Sequence, residues 1–204
     1  MEITDIEKKK GTRYTVYIDH EYWYIVDVQI IVDCGLKVGN TYNEDELLEI
    51  KRTADHRKAK ERALYLLGYR DHSRRELIDK LCKSVDEDIA EDIADRMMEL
   101  GFLDDRKYAE KLVQAYFLRK HLGARRVRYD VSMKGVDRDI VDECIKEALE
   151  EIDVIDIIRT LVERKYARYL GDQKGTKKTV DALMRLGHNY GDIKEVLDEY
   201  DDEY

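Results

Sequence analysis

Two hydrophobic periodicities divide the chain. Near the start, Tyr14, Val16 and Ile18 alternate with polar positions, the period-two signature of a half-buried strand. RYTVYIDHEYWYIVDV is dense in Tyr, Val, Ile and Trp, which suit a pleated surface. Asp19-His20-Glu21 reads as a hairpin turn before Tyr22 to Val26, and Gly35 and Gly39 punctuate the exit. Residues 1 to about 42 are therefore expected to be strands, forming a small antiparallel β module that caps or docks. From Asn43, paired with Glu46 as a capping box, the period becomes helical. A long helix is expected towards Leu67, with an interruption near Thr53.

Beyond it, one pattern recurs. Ser73-Arg74-Arg75-Glu76-Leu77 precedes Leu81, Gly123-Ala124-Arg125-Arg126-Val127 precedes Val131, and Gly175-Thr176-Lys177-Lys178-Thr179 precedes Leu183. A period of about fifty residues signals tandem units, here of three helices each. Ser73 with Glu76 is a second capping box. Gly135 and Gly187 fall where left-handed C-caps are needed, and Asp86, Asp137 and Asn189 stand as N-caps of the third helices. Ile89, Ile93, Met97 and Leu100, and then Ile140, Cys144, Ala148 and Ile152, form apolar stripes expected to be core. The predicted fold is mostly α: tandem three-helix repeats in an elongated array behind the β module. The expected boundaries are 1–50, 51–103, 104–152 and 153–204.

Charge follows the same repeat. Residues 51–83 carry eleven cations and five anions, and residues 84–105 one cation and nine anions. Residues 119–138 and 164–185 each hold seven cations to two anions, 139–156 one to eight, and the stretch from 192 one to seven. The net charge of −9 thus conceals basic first and second helices and acidic third helices. Neighbour neutralisation and helix dipoles explain part of this. They do not explain cations at second-helix N-termini, which the dipole disfavours and which point to an external anion. The candidate binding residues are Arg70, Arg74, Arg75, Arg119, Lys120, Arg125, Arg126, Arg128, Lys134, Lys177 and Lys178. Tyr69 and Tyr129 are expected to be exposed beside them, while Tyr108 and Tyr116 are expected to be buried.

Little else suggests chemistry. The five histidines are scattered, and His72 and His121 are expected on a solvated surface flanking the basic turns. GDQKGTKKT lacks the spacing and the preceding strand of a phosphate loop, and Asp104-Asp105 reads as a helix cap. Neither catalytic residues nor a metal site nor a cofactor is expected. Three distant cysteines and the lack of a ~20-residue apolar run fit a reduced cytoplasmic setting with no membrane contact.

ALYLLGYRDHSRRELIDKL (63–81), then GFLDDRKYAEKLVQAYFLRKHLGARRVRYDVSMKGV (101–136), resembles the RecX family of bacterial RecA modulators. The most specific positions are GFLDD, Tyr108-Ala109, Gly123, Arg126-Val127 and Lys134-Gly135-Val136, although Ala124 stands where proline is common in that family. The resemblance implies a monomeric, non-enzymatic regulator that lies along the RecA–DNA filament and restrains its recombinase, ATPase and coprotease activities. It would touch DNA through the filament. Direct binding of nucleic acid through the same ridge is the alternative.

Overall fold

The computed structural model describes residues 1–201. Three antiparallel strands come first, β1 (Ile3–Lys8), β2 (Arg13–Ile18) and β3 (Glu21–Asp27), in the order β1-β2-β3. Asp19 and His20, with φ of 49° and 68°, close the β2–β3 hairpin as its position requires. Register slips by one at Trp23, because Val16 pairs with Tyr24 but Tyr17 with Tyr22. Contrary to the strand reading of residues 1–42, a short helix α1 (Val28–Asp33) follows directly, capped by Asp27. Asp27 ends the alternating run and accepts the Gln29 N–H at 3.0 Å, which turns the chain into a helix.

Helix α2 (Glu44–Tyr69) opens with the expected capping box of Asn43 and Glu46. It runs unbroken through Thr53, whose hydroxyl bonds back to the Glu49 carbonyl at 2.9 Å and so offers no competing exit from the helix. At 26 residues it is about 39 Å long. Leu47, Ile50 and Ala54 join Ile3, Val16, Ile18 and Val26 in the core of the β module. Further along, Ala59, Ala63 and Leu66 are buried on the same helix, so α2 runs through residue 50 without a break.

Helix α3 (Arg74–Leu81) and helix α4 (Glu87–Glu99) follow. Leu77, Leu81, Ile89, Ile93 and Met97 are buried as their stripe predicts. Each such side chain contributes about 1.5–3 kcal/mol, which holds an α3 too short to persist alone. Leu100 departs from its stripe: it lies beyond the end of α4 and is 45 % exposed. Arg52 pairs with Asp88 at 2.7 Å, and the Lys58 ammonium bonds the Ser84 carbonyl at 3.0 Å, tying α2 to this hairpin.

The second repeat is α5 (Asp105–Leu118), α6 (Ala124–Ser132) and α7 (Arg138–Glu151). Val113, Phe117, Val127, Val131, Val141 and Cys144 form its core. Arg106 on α5 holds Glu143 and Glu147 on α7 at 2.8 and 2.5 Å. The third repeat begins with α8 (Val154–Leu161), which continues through a wide turn, Val162–Tyr166, and a tight one, Ala167–Tyr169. It ends with α9 (Gln173–Arg185) and α10 (Tyr190–Asp201) around Ile158, Leu161, Val162, Leu183 and Ile193. Two compact units group these elements: residues 1–70 with 77–97, and residues 71–76 with 98 onward. No helix among the described residues is long and apolar enough to cross a membrane.

Candidate functional site

Two of the three predicted second-helix N-termini prove to be joints, built within the second compact unit, while Gly175 to Lys178 lie inside α9, which Asp172 caps. At the first, the Ser73 hydroxyl accepts the Glu76 N–H at 3.1 Å and donates to the Lys134 carbonyl at 2.5 Å. The Arg74 N–H donates to the Asp105 carboxylate at 2.7 Å. The partial positive charge at the start of α3 is therefore met by an acid of this chain. Burial pushes the Asp105 carboxyl up, opposed by the Arg74 N–H and guanidinium. Gly135, at φ 83°, presses on the Arg75 stem, and a Cβ there would lie 2.7 Å from Arg75 Cβ. His72, expected on the surface, is only 3 % exposed; the turn that seats Ser73 takes it inside.

The second joint places the same parts differently. The Gly123 N–H donates to the Leu186 carbonyl at 2.9 Å, as Ser73 does to Lys134. Gly187, at φ 94°, sits where a Cβ would lie 2.5 Å from the Arg126 nitrogen. The Arg125 guanidinium donates to the Met184 carbonyl at 2.6 Å, at the end of α9. Helix α6 has no side-chain cap and no acid in its first turn, so its N-terminal field is not answered locally. Arg125, Arg126 and Arg185 line a concavity of about 350 Å³ with Tyr129 and Gly187. The Arg126 guanidinium lies 5.8 Å from the Tyr129 ring, which is 59 % exposed.

The remaining candidates are dispersed. Arg126 pairs with Asp130 at 2.9 Å on its own helix, and Arg128 pairs with Asp142 on α7. Lys120, just past α5, lies 3.9 Å from the Tyr116 ring, with Arg119 exposed beside it. Lys134 is exposed in the α6–α7 turn. Lys177 and Lys178 are exposed on α9, and Lys177 lines a second shallow concavity with Lys174 and Tyr190. Arg70 caps the end of α2 and belongs to the first unit. Tyr69 is exposed, and Tyr108 and Tyr116 are buried, as expected. The sequence reading missed Arg185, whose only clue is that it lies two residues ahead of Gly187. Asp104 caps α5 through the Lys107 N–H at 3.0 Å, which also lowers its carboxyl pKa. No group of three metal-ligating side chains stands together among the described residues.

Residues 59–97 match the first three-helix domain of RecX, and residues 104–145 match the second. A regulatory protein RecX of Clostridium acetobutylicum is 30% identical, over 97% of this chain and 95% of its own length. The chain belongs to the RecX family. The regulatory protein RecX of Clostridioides difficile is 29% identical over 98% of both chains. A crystal structure of RecX from Lactobacillus salivarius is 26% identical and superposes with a TM-score of 0.65, over 72% of this chain and 97% of its own. A further crystal structure of a regulatory protein RecX shares the fold over 97% of this chain and 98% of its own, at a TM-score of 0.70 and 21% identity. The family is one of regulatory proteins, so a regulatory role comes with membership. Its two RecX domains contain both the capped start of α3 and the uncapped start of α6.

Proposed function

We propose that this RecX protein regulates RecA by docking as a monomer along the RecA–DNA filament and restraining its ATPase, recombinase and coprotease activities without bond chemistry. The docking surface is centred on Arg125 and Arg126 of the second unit, with Arg185 beside them. What supports this is the second joint: two predicted arginines and Arg185 converge at an uncapped helix N-terminus, a setting suited to phosphate or carboxylate. The internal partner of Arg126, Asp130 on its own helix, makes a surface pair worth about 0–1 kcal/mol, which an external polyanion can displace.

Exposed Tyr129 among guanidiniums favours a second reading, direct binding of single strands with bases stacked on the ring, worth about 1–3 kcal/mol per base. One titration separates the two. The chain is added to RecA on single-stranded DNA while ATP hydrolysis is followed, and its affinity for the same DNA without RecA is measured across salt concentrations. Filament regulation predicts suppressed hydrolysis and much tighter binding with RecA present. Equal affinity with and without RecA, falling steeply with salt, would establish the second reading instead.

A further inference from the structure

We propose that the β module carries a docking groove for an extended acidic peptide segment, between the free edge of β3 and one face of α2. The strand pairing identifies which backbone groups are free. The Val28 N–H donates to the Thr12 carbonyl at 2.8 Å, and the pairs Arg13–Asp27 to Val16–Tyr24 keep that register. Bonded pairs alternate in an antiparallel ladder, so Tyr14–Val26 and Val16–Tyr24 exchange hydrogen bonds while Ile25 turns its N–H and C=O away from β2. The β1 side has the same parity: Lys9 N–H to Arg13 carbonyl, at 2.8 Å, assigns the backbone of Thr15, opposite Ile25, to β1. Among the described residues the outward groups of Ile25 have no hydrogen-bond partner.

Natural sheets blunt such edges with lysine, proline or a covering element. The strand EYWYIVD has neither lysine nor proline, and Tyr22 and Ile25 are exposed on it. Instead of covering this edge, α2 flanks it. Ala54, Arg57, Lys58 and Glu61, spaced as one helix face, form the opposite wall of a cleft of about 350 Å³ that Tyr22 and Ile25 also line. This volume is within the ~300–1,000 Å³ of ligand pockets. A strand edge facing a helix is the arrangement that takes an added strand, with backbone bonds giving affinity and flanking side chains giving selectivity.

The charge of the occupant follows from Arg57. Its Nε is buried and lacks a hydrogen-bond acceptor, although Glu61 and Asp27 lie at ion-pair distances of 3.4 and 3.7 Å. The lining carries Arg13, Arg57 and Lys58 against Asp27 and Glu61, so a carboxylate on the incoming strand meets the exposed part of the Arg57 guanidinium while the strand's backbone pairs with Ile25. The groove uses none of the residues assigned to the basic ridge, so the two proposals stand or fall separately.

The test uses the full chain and a capped hexapeptide alternating glutamate with valine. Two control peptides replace glutamate by lysine, or carry N-methyl groups on alternate amides. Expected are slowed hydrogen exchange at the Ile25 amide and a change in the fluorescence of Trp23, the single tryptophan. Both responses should vanish with the methylated peptide. Affinity should fall roughly tenfold with the lysine peptide and in Arg57→Gln. No protection of Ile25, or equal binding of either control peptide, overturns the groove. Should Arg57→Gln fail to fold, the three peptides on the unaltered chain still decide.

Discussion

The two joints of the second compact unit present equivalent carbonyls, each just ahead of a left-handed glycine, to different partners. At the first, Lys134 receives a serine hydroxyl, and the helix start behind it is closed by Ser73 and Asp105. At the second, Leu186 receives a glycine N–H, and the helix start has no side-chain cap. One joint has its electrostatics satisfied within the fold. The other keeps an uncapped helix start, with three arginines lining one concavity beside it. Arginines that look equivalent in the repeat therefore differ in what they can offer a partner, and local capping makes the difference.

The largest effect is expected from filling the second joint. In Gly123→Ala the new Cβ would lie 2.2 Å from the Gly187 carbonyl carbon, backbone against backbone, so α6 must shift and the bond to Leu186 must weaken. A loss of about 3 kcal/mol is expected, read from the urea midpoint. An unchanged midpoint would remove the joint as a structural element.

Next comes the contrast between the arginine pairs. If the protein docks on RecA as proposed, Arg125→Glu with Arg126→Glu should raise the concentration needed to suppress RecA hydrolysis by roughly tenfold, ~1.4 kcal/mol, with helical content preserved. Arg74→Glu with Arg75→Glu should do less, because Ser73 and Asp105 already answer the start of α3. The reverse order would sink the comparison. Ser73→Ala removes a cap and a bond between repeats at the first joint only, and should cost about 1 kcal/mol in chemical unfolding. Gly123 lacks a hydroxyl, so the second joint has no corresponding substitution.

The smallest effect is a pH dependence confined to the second joint. His188 is 2 % exposed, with Nε2 at 3.0 Å from the His121 carbonyl and Nδ1 buried without a partner. Burial lowers its pKa below the ordinary 6.5. The charge of His121 adds to this, while the bond to the His121 carbonyl and the charge of Asp192 oppose it. A folded pKa below the unfolded one means that the unfolded chain takes up the proton first. Stability is then fully present above about pH 6.5 and is lost as pH falls towards the lower folded value. Denaturant midpoints compared between about pH 7.5 and about pH 5.5 should show this decline, and His188→Asn should flatten it.

Side-chain period and capping chemistry act over a few residues, so the sequence alone determined the strands, the hairpin turn at Asp19-His20, the three-helix period and the left-handed glycines Gly135 and Gly187. Where a local signal was ambiguous the reading failed: Val28–Asp33 follows strands without a break in hydrophobicity, and Leu100 extends a stripe beyond its helix. Among the candidate cations the sequence could list Arg125, Arg126 and Arg128 but could not show that Arg126 pairs with Asp130 on its own helix and Arg128 with Asp142 on α7, nor add Arg185 from α9. Those distinctions depend on which distant carboxylate or carbonyl reaches each guanidinium, as Asp105 reaches Arg74 and Met184 reaches Arg125. Coulombic and hydrogen-bond energies fall off within a few ångströms in space, whatever the separation along the chain. Composition and period therefore set how much charge each helix carries, and only the tertiary structure decided which of it is already answered.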